Sequence, residues 1–464
     1  MTQNTPVLSY TYLPNTYNPY DRRDFATIRT IPTGVLETFV LTLLYSPADT
    51  RIQRTCRVTQ RKEGSFHHAV FLTITERPSP SGHPDQDLIL KIPAHGTRDK
   101  WCAQDAYMMA NEANIMRLIR HTTSCPVPQV LAFDWTLNNG IRAPYILMTK
   151  LNGIPAVDVW LGQPYKRIPK PTLHLHADNA APGLEKKRVT FLRSLARAMS
   201  QLAPLEFDQI GIPVFSDGAQ KMEFLSVGEA WRWHSRRDMQ DLIASGPFDS
   251  SAEFFCTALA EICESDRGVR KVMDIVLECA PFTGTREPSL CANKEKEGDG
   301  KPTAPREWFV LRHNDLDLQN VLVDEHGNVT GIIDWDGCMA VPRCISYTSL
   351  PTFLRRDWLP GSTMGHVPHM TWAFEHYRQI YVAAMKEFCG PADAKFTLKS
   401  HIYQAVLAAL DGDVDCRDVA KLFIQEIPEF RRVDGEALFR RLGVGWPDAE
   451  GLLKVKIAEL LRPG

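Results

Sequence analysis

Four residues of this sequence combine types and spacing that can do chemistry: His313, Asp315, Asn320 and Asp334. An apolar run, Phe309 to Leu311, reads as a short buried strand that stops abruptly in polar residues. Asp315 follows His313 by two places, and Asn320 follows Asp315 by five. Val321–Val323 and Val329–Ile333 then flank Asp324-Glu-His-Gly-Asn328, a Gly-containing connection of the kind that closes a β-hairpin, and the second strand delivers Asp334. A carboxylate, a carboxamide and a second carboxylate on adjoining segments suit phosphoryl transfer. That reaction needs metal to neutralise phosphate charge and a group beside the attacking hydroxyl. Mg²⁺ takes one or two protein oxygens and completes its shell with phosphates and water. Asn320 and Asp334 can supply such oxygens, which leaves Asp315 to hold the nucleophile.

The elements that must position these groups read as follows. From about Val35 the chain alternates strands and turns, with Cys56–Gln60, Val70–Thr75 and Leu88–Ile92 as strand candidates. Arg61 to His68, containing Gly64, Ser65 and Phe66, connects the first two. Lys91 lies inside the third, where a lysine is costly unless its head reaches water or an anion. A helix over Gln104–Arg120 carries Glu112 on its apolar stripe, so a buried-side lysine and a buried-side glutamate invite pairing. Cys125–Phe133 is a Pro-marked helix exit and a strand, and Tyr145–Gly153 is a strand ending in a polar turn. Helices are expected over Val189–Leu202, Ser226–Ala244, Ala252–Cys279, Met370–Glu387, Leu398–Leu410, Asp418–Gln425 and Ala449–Leu461. Tyr165–Lys187 and Cys291–Glu307 read as inserted loops. His174 and His176 lack the further ligands zinc requires, and Asp411–Asp415 lacks the glycine and glutamate of a calcium loop and reads as a helix cap.

Composition sets the bounds. The chain has 464 residues, 44% hydrophobic and 23% charged, with a net charge of −2, so nucleic acid is not expected as its main partner. The 11 cysteines form no Cys-x-x-Cys pair and suit reduced thiols in a cytosol-like compartment. The apolar segment Val35–Tyr45 is too short to span a bilayer, and the start shows no secretory signal, so the expectation is a cytoplasmic protein without membrane association.

His313-Asn-Asp315 followed by Asn320, then Ile333-Asp-Trp335, resembles the paired motif of aminoglycoside phosphotransferase and choline kinase relatives. The resemblance extends to many uncharacterised kinase-like proteins of filamentous fungi. It implies an α+β, protein-kinase-like fold of two lobes: a small antiparallel-sheet lobe and a mainly helical large lobe. The expected divisions are an N-terminal arm over 1–33, the small lobe over 34–152 and the large lobe over 153–464, with insertions near 165–187 and 291–307. The implied cofactors are ATP and Mg²⁺, and the implied acceptor is a hydroxyl of a small molecule. By resemblance, Lys91 contacts the phosphates and Glu112 orients it, while Gly64, Ser65 and Phe66 lie over the nucleotide. Asn320 and Asp334 bind Mg²⁺, Asp315 accepts from the substrate hydroxyl, and His313 braces the loop. The sequence departs from the pattern at Asn314, where glycine is usual, and at Asp317, where relatives often have His or Ser. An extra carboxylate at 317 adds local negative charge, which would suit a cationic acceptor or raise the pKa of a neighbour. Two alternatives stand beside this reading: a catalytically silent nucleotide-binding scaffold and a protein Ser/Thr kinase. The lack of an Ala-Pro-Glu segment after Asp334 speaks against the second.

Overall fold

A computed structural model describes residues 22–46, 52–77, 85–169, 172–178, 180–216, 224–233, 242–262, 266–284, 306–360 and 372–464. The insertion expected near 291–307 and the first part of the N-terminal arm lie almost wholly outside them. The described residues group into two compact units. The first takes in Met1–Asn152 and Thr330–Gly337; the second takes in Gly153–Ser216, Glu223–Val329 and Cys338–Gly464.

The first unit is an antiparallel sheet with helices. Its strands are β1 (Gln53–Glu63), β2 (His67–Arg77), β3 (Gln86–Pro93), β4 (Val130–Asp134) and β5 (Tyr145–Thr149), ordered β1-β2-β3-β5-β4. Alternation drives the pairing. Val70, Leu72 and Ile74 of β2, with Leu88, Leu90 and Ile92 of β3, all turn to one face, where they are buried. That face is covered by a helix that departs from the strands expected after Val35. α1 (Phe25–Arg29) and α2 (Thr33–Leu44) precede the sheet, and Ile28, Leu36 and Val40 join its core. The β-branched and aromatic residues of this stretch suggest strand, yet Leu36 and Val40 are four apart and follow Pro32, which the helical period exploits. Glu37 of α2 accepts a hydrogen bond from the Val58 amide at 2.8 Å and fixes the helix along β1. α3 (Ala103–Thr122) completes the unit. Asp105 closes its first turn by accepting from the Cys102 amide at 3.0 Å. Asp105 also pairs with Arg22 and His95, so the described end of the N-terminal arm is tied to α3.

The second unit is mainly helical. A three-stranded sheet places Phe309–Arg312 between Met339–Val341 and Glu206–Phe207, and Val321–Val323 pairs with Ile154–Pro155. The helices Pro182–Ser200 and Phe374–Phe388 share a buried arginine, Arg188, which donates to the carbonyls of Trp160 at 2.9 Å and Ala177 at 2.8 Å and to the Tyr377 hydroxyl at 2.8 Å. The segment expected to be helical over Ser226–Ala244 is instead strand where described: Phe224–Gly228, Ala230–Trp233 and Leu242–Ser245. Its Phe, Leu, Val and Trp residues favour a pleated surface over a helix. The helical stretch expected over Ala252–Cys279 comprises Ser251–Ile262 and Arg267–Leu277, the second capped by Asp266 accepting from the Gly268 and Val269 amides. The later helices fall at Ser400–Leu410, Cys416–Glu426 and Pro447–Leu461, with a further one at Gly435–Val444. Asp415 caps Cys416–Glu426 by accepting from the Arg417 amide, as a helix cap and not a calcium loop. No described helix is long and apolar enough to cross a membrane.

Candidate active site

In the first unit the sheet presents Lys91 on the face opposite Leu90 and Ile92, because strand residues alternate. Its ammonium lies 2.6 Å from Glu112 Oε1 and 2.9 Å from Asp334 Oδ1. The pairing read from sequence between an interior-strand lysine and a helix-stripe glutamate is therefore formed, and Asp334 joins it. Asp334 takes a φ of 64°, the left-handed region that Asp and Asn tolerate better than most residues. Strain of this sort persists only where surrounding structure enforces it. Here the buried Trp335 does so, its indole Nε1–H donating to the Ile332 carbonyl at 3.0 Å, while the Ile332 amide donates to the Pro126 carbonyl at 2.8 Å.

The electrostatics of this cluster are uneven. Burial opposes the Lys91 ammonium, but Glu112, Asp334 and Asp336 outweigh it and hold the lysine well above its ordinary range. One ammonium does not neutralise three carboxylates. Glu112 is pushed up to about 7, first by burial and then by Asp336 and Asp334, against the pull of Lys91. Asp336 is raised as well, by exclusion of solvent and then by Asp334, although it keeps accessible surface. His67 shares the Lys91 face, and burial together with the Lys91 charge holds its imidazole well below the ordinary histidine range. His67 and Asp336 belong to the site through weaker sequence signals: His67 follows Phe66 at the entry to β2, and Asp336 lies two places after Asp334.

Gly64, Ser65 and Phe66 form the tip between β1 and β2. The Gly64 amide donates to the His67 carbonyl at 2.9 Å and the Ala94 amide to the Phe66 carbonyl at 2.8 Å. A Cβ at Gly64 would meet only the His67 carbonyl, at 3.9 Å, an ordinary contact, so the tip does not require glycine for space. Arg23 donates to the Ser65 carbonyl at 3.1 Å and sits 5.5 Å from the centre of the Phe66 ring, which is 54% exposed. The tip is thus a short hairpin turn held by the N-terminal segment.

In the second unit the strand Phe309–Arg312 ends in a loop fixed from several sides. Leu316 and Leu318 are buried anchors. The Thr352 amide donates to the Leu316 carbonyl at 2.8 Å, and the Val157 amide to the Leu318 carbonyl at 3.2 Å. His313 Nδ1 accepts from the Asp315 amide at 3.2 Å, a bracing role. The Asn320 carboxamide donates to the Asp315 carbonyl at 2.8 Å and to its carboxylate Oδ2 at 2.9 Å, so these two side chains are set together. The connection that follows is closed by Asp324, which accepts from the His326 and Asn328 amides, and by Gly327 at φ 93°. A Cβ at Gly327 would stand 2.6 Å from the Lys187 carbonyl, so here both backbone angle and space demand glycine.

Asp317 does not offer the local negative charge expected of it. It is buried, accepts from the Leu318 amide at 2.8 Å and forms an ion pair with Arg356. Arg355 lies near the same loop, where the charges of Arg312, Asp317, Asp315 and Arg356 all act on it.

Over residues 300–361 the chain matches the phosphotransferase enzyme family (APH). A subtelomeric hrmA-associated cluster protein of Aspergillus fumigatus is 21% identical over 291 residues, which are 54% of this chain and 54% of that protein. The chain thus spans about half the length of the curated relatives it matches. Among solved structures, aminoglycoside phosphotransferase APH(4)-Ia is 15% identical, covering 84% of this chain and 99% of that one, with a TM-score of 0.38. The GDP and kanamycin complex of APH(2")-IIIa is 13% identical, covering 91% and 98%, with a TM-score of 0.38.

Proposed function

We propose that this chain is a phosphotransferase that moves the terminal phosphoryl group of ATP, with Mg²⁺, to a hydroxyl of a small molecule. The observation that carries the reading is the Lys91 ammonium shared between Glu112 and Asp334, in a chain whose Asp315–Asn320 segment lies inside the family match. In this reading Lys91 binds the nucleotide phosphates and Glu112 keeps its ammonium in place. Asp315 receives the hydroxyl proton, and Asn320 holds the Asp315 carboxylate in position. The excess of carboxylates around Lys91 fits a site that takes a divalent cation, and the oxygens of Asp334 and Asn320 are the hard donors Mg²⁺ prefers. Bound there, Mg²⁺ would neutralise phosphate charge. The Gly64–Phe66 tip would cover the nucleotide through its backbone, as an extension of this reading.

The test is nucleotide binding with and without Mg²⁺, followed by phosphate transfer to a panel of sugars, amines and alcohols. ATP affinity should rise with Mg²⁺, Asp334→Ala should remove that dependence, and at least one panel member should become phosphorylated. Equal ATP binding with and without Mg²⁺ counts against the metal assignment. Tight MgATP binding with no product across the panel would favour a silent nucleotide-binding scaffold.

A further inference from the structure

The loop that carries Asp315 contributes His313 and Leu316 to a cleft in the second unit, lined also by Arg312, Thr352, Arg355 and Gln404 among others. Its enclosed part measures about 10 Å³, room for one water, and about 260 Å³ when counted out through its open mouth. Two of its lining groups are guanidinium-bearing, and the wall is fastened to the candidate catalytic loop. The Thr352 amide holds the Leu316 carbonyl at 2.8 Å, and Arg355 Nη2 donates to the Thr352 hydroxyl at 3.0 Å. Arg356 is committed to Asp317. Arg355 is different: among the described residues no carboxylate forms an ion pair with it. Its surroundings do not favour the cation, since burial and then the Arg312 guanidinium pull it down to about 9, against Asp317 and Asp315. A half-buried guanidinium kept under such conditions, on the wall of a cleft, is what an oxyanion ligand would stabilise.

We propose that the phosphate acceptor carries its own oxyanion, a carboxylate or a phosphate, and that Arg355, supported by Arg312, holds this group while Asp315 takes the hydroxyl. The inference rests on the phosphotransferase reading for the role of Asp315. The loop then offers the opposite of what a polycationic acceptor would need. The oxyanion fixes one end of the acceptor at the arginines, so the hydroxyl at the other end is presented to Asp315. The transfer itself forms the bond from acceptor oxygen to phosphorus and breaks that from phosphorus to the ADP oxygen. The hydroxyl proton passes to Asp315.

The test uses three small probes of similar size: glycerol, glycerate and glycerol 3-phosphate. Binding to the full chain is measured by titration calorimetry, and phosphate transfer from MgATP is measured separately. Glycerate or glycerol 3-phosphate should bind saturably and glycerol should not; which of the two binds tells carboxylate from phosphate. Arg355→Ala should weaken that binding at least tenfold. Arg355→Lys should recover part of it, because a lysine keeps the charge and loses the paired donors. Both variants are compared with the parent by thermal unfolding, and Arg355→Lys serves as the decisive variant if the alanine protein is unfolded. Binding of neither anion, or equal binding by the parent and a folded Arg355→Ala, overturns the proposal. Efficient phosphorylation of neutral or cationic hydroxyl compounds with no preference for anionic ones overturns it too, while leaving the phosphotransferase reading intact. Anion binding that depends on Arg355 without transfer to any acceptor would keep the oxyanion site and remove the enzyme reading.

Discussion

The two units treat charge in opposite ways. Around Lys91, one ammonium meets the buried Glu112 and the more exposed Asp334 and Asp336, and burial of Glu112 makes its negative charge expensive. Around Asp315, Arg356 is paired with Asp317, and Arg355, next to Arg312, forms no ion pair with a carboxylate among the described residues. Surplus charge of either sign in a partly buried cluster is destabilising by itself and persists where a ligand of the other sign compensates it. The first cluster is therefore suited to a cation and the second to an anion. A phosphotransferase with a metal-bound nucleotide and an acidic acceptor uses both.

The comparison breaks most readily at Asp315. Asp315→Asn keeps the shape and the contact with Asn320 but removes the proton acceptor. Turnover on a genuine acceptor should fall by about 10²- to 10⁴-fold, equivalent to about 3 to 5 kcal/mol of barrier, with little change in nucleotide affinity. Full turnover by this variant, measured at saturating MgATP, would remove Asp315 from the chemistry. Next in size is Asp317→Asn. It strips the buried partner from Arg356, whose Nε–H is itself buried with no acceptor among the described residues. Breaking a buried pair from one side costs about 3 to 5 kcal/mol, so chemical denaturation should show a loss of about 3 kcal/mol. A loss below about 1 kcal/mol would mean that Asp317 is a solvated charge after all, and the sign of the second cluster would have to be redrawn.

Much of this was legible in the chain because it rests on local spacing. Lys91 inside an apolar strand and Glu112 on an apolar helix stripe are each anomalous, and anomalies of opposite charge find each other. The hairpin ending at Asp334 announces itself through Gly327, which the fold requires at φ 93°. What escaped depends on partners distant in sequence. Asp317 looks like free negative charge until Arg356, 39 residues on, is seen to neutralise it. Arg355 has no local pattern at all; its meaning comes from a short helical turn hung on the Leu316 carbonyl. The helix Thr33–Leu44 was missed for another reason. Its threonines, valines and phenylalanine favour strands, and packing on the sheet through Leu36 and Val40 overrides that preference.

The smallest effect sharpens the account of the first cluster, because it reads the surplus negative charge directly. Burial pushes the Glu112 carboxyl up to about 7 in the folded chain, from an ordinary value of 4.5. A carboxyl raised by folding binds its proton more tightly in the folded state than in the unfolded one. Between pH 4.5 and pH 7 the folded chain therefore holds more protons, and stability must fall as pH rises through that window and level off above it. Glu112→Gln has no proton to hold, so the difference in stability between parent and variant isolates the carboxyl. That difference should move against the parent by roughly 2 kcal/mol between pH 5 and pH 7.5, since one pKa unit is worth about 1.4 kcal/mol. The measurement is urea unfolding of both proteins in chelator across that range. A cation that relieves the crowding of Asp334 and Asp336 should lower the Glu112 value and flatten the slope, so repeating the series with saturating MgATP links the titration to the ligand. Parallel slopes for parent and variant would show that Glu112 does not carry the surplus. Lys91 would then balance its three carboxylates more evenly than the burial of Glu112 implies.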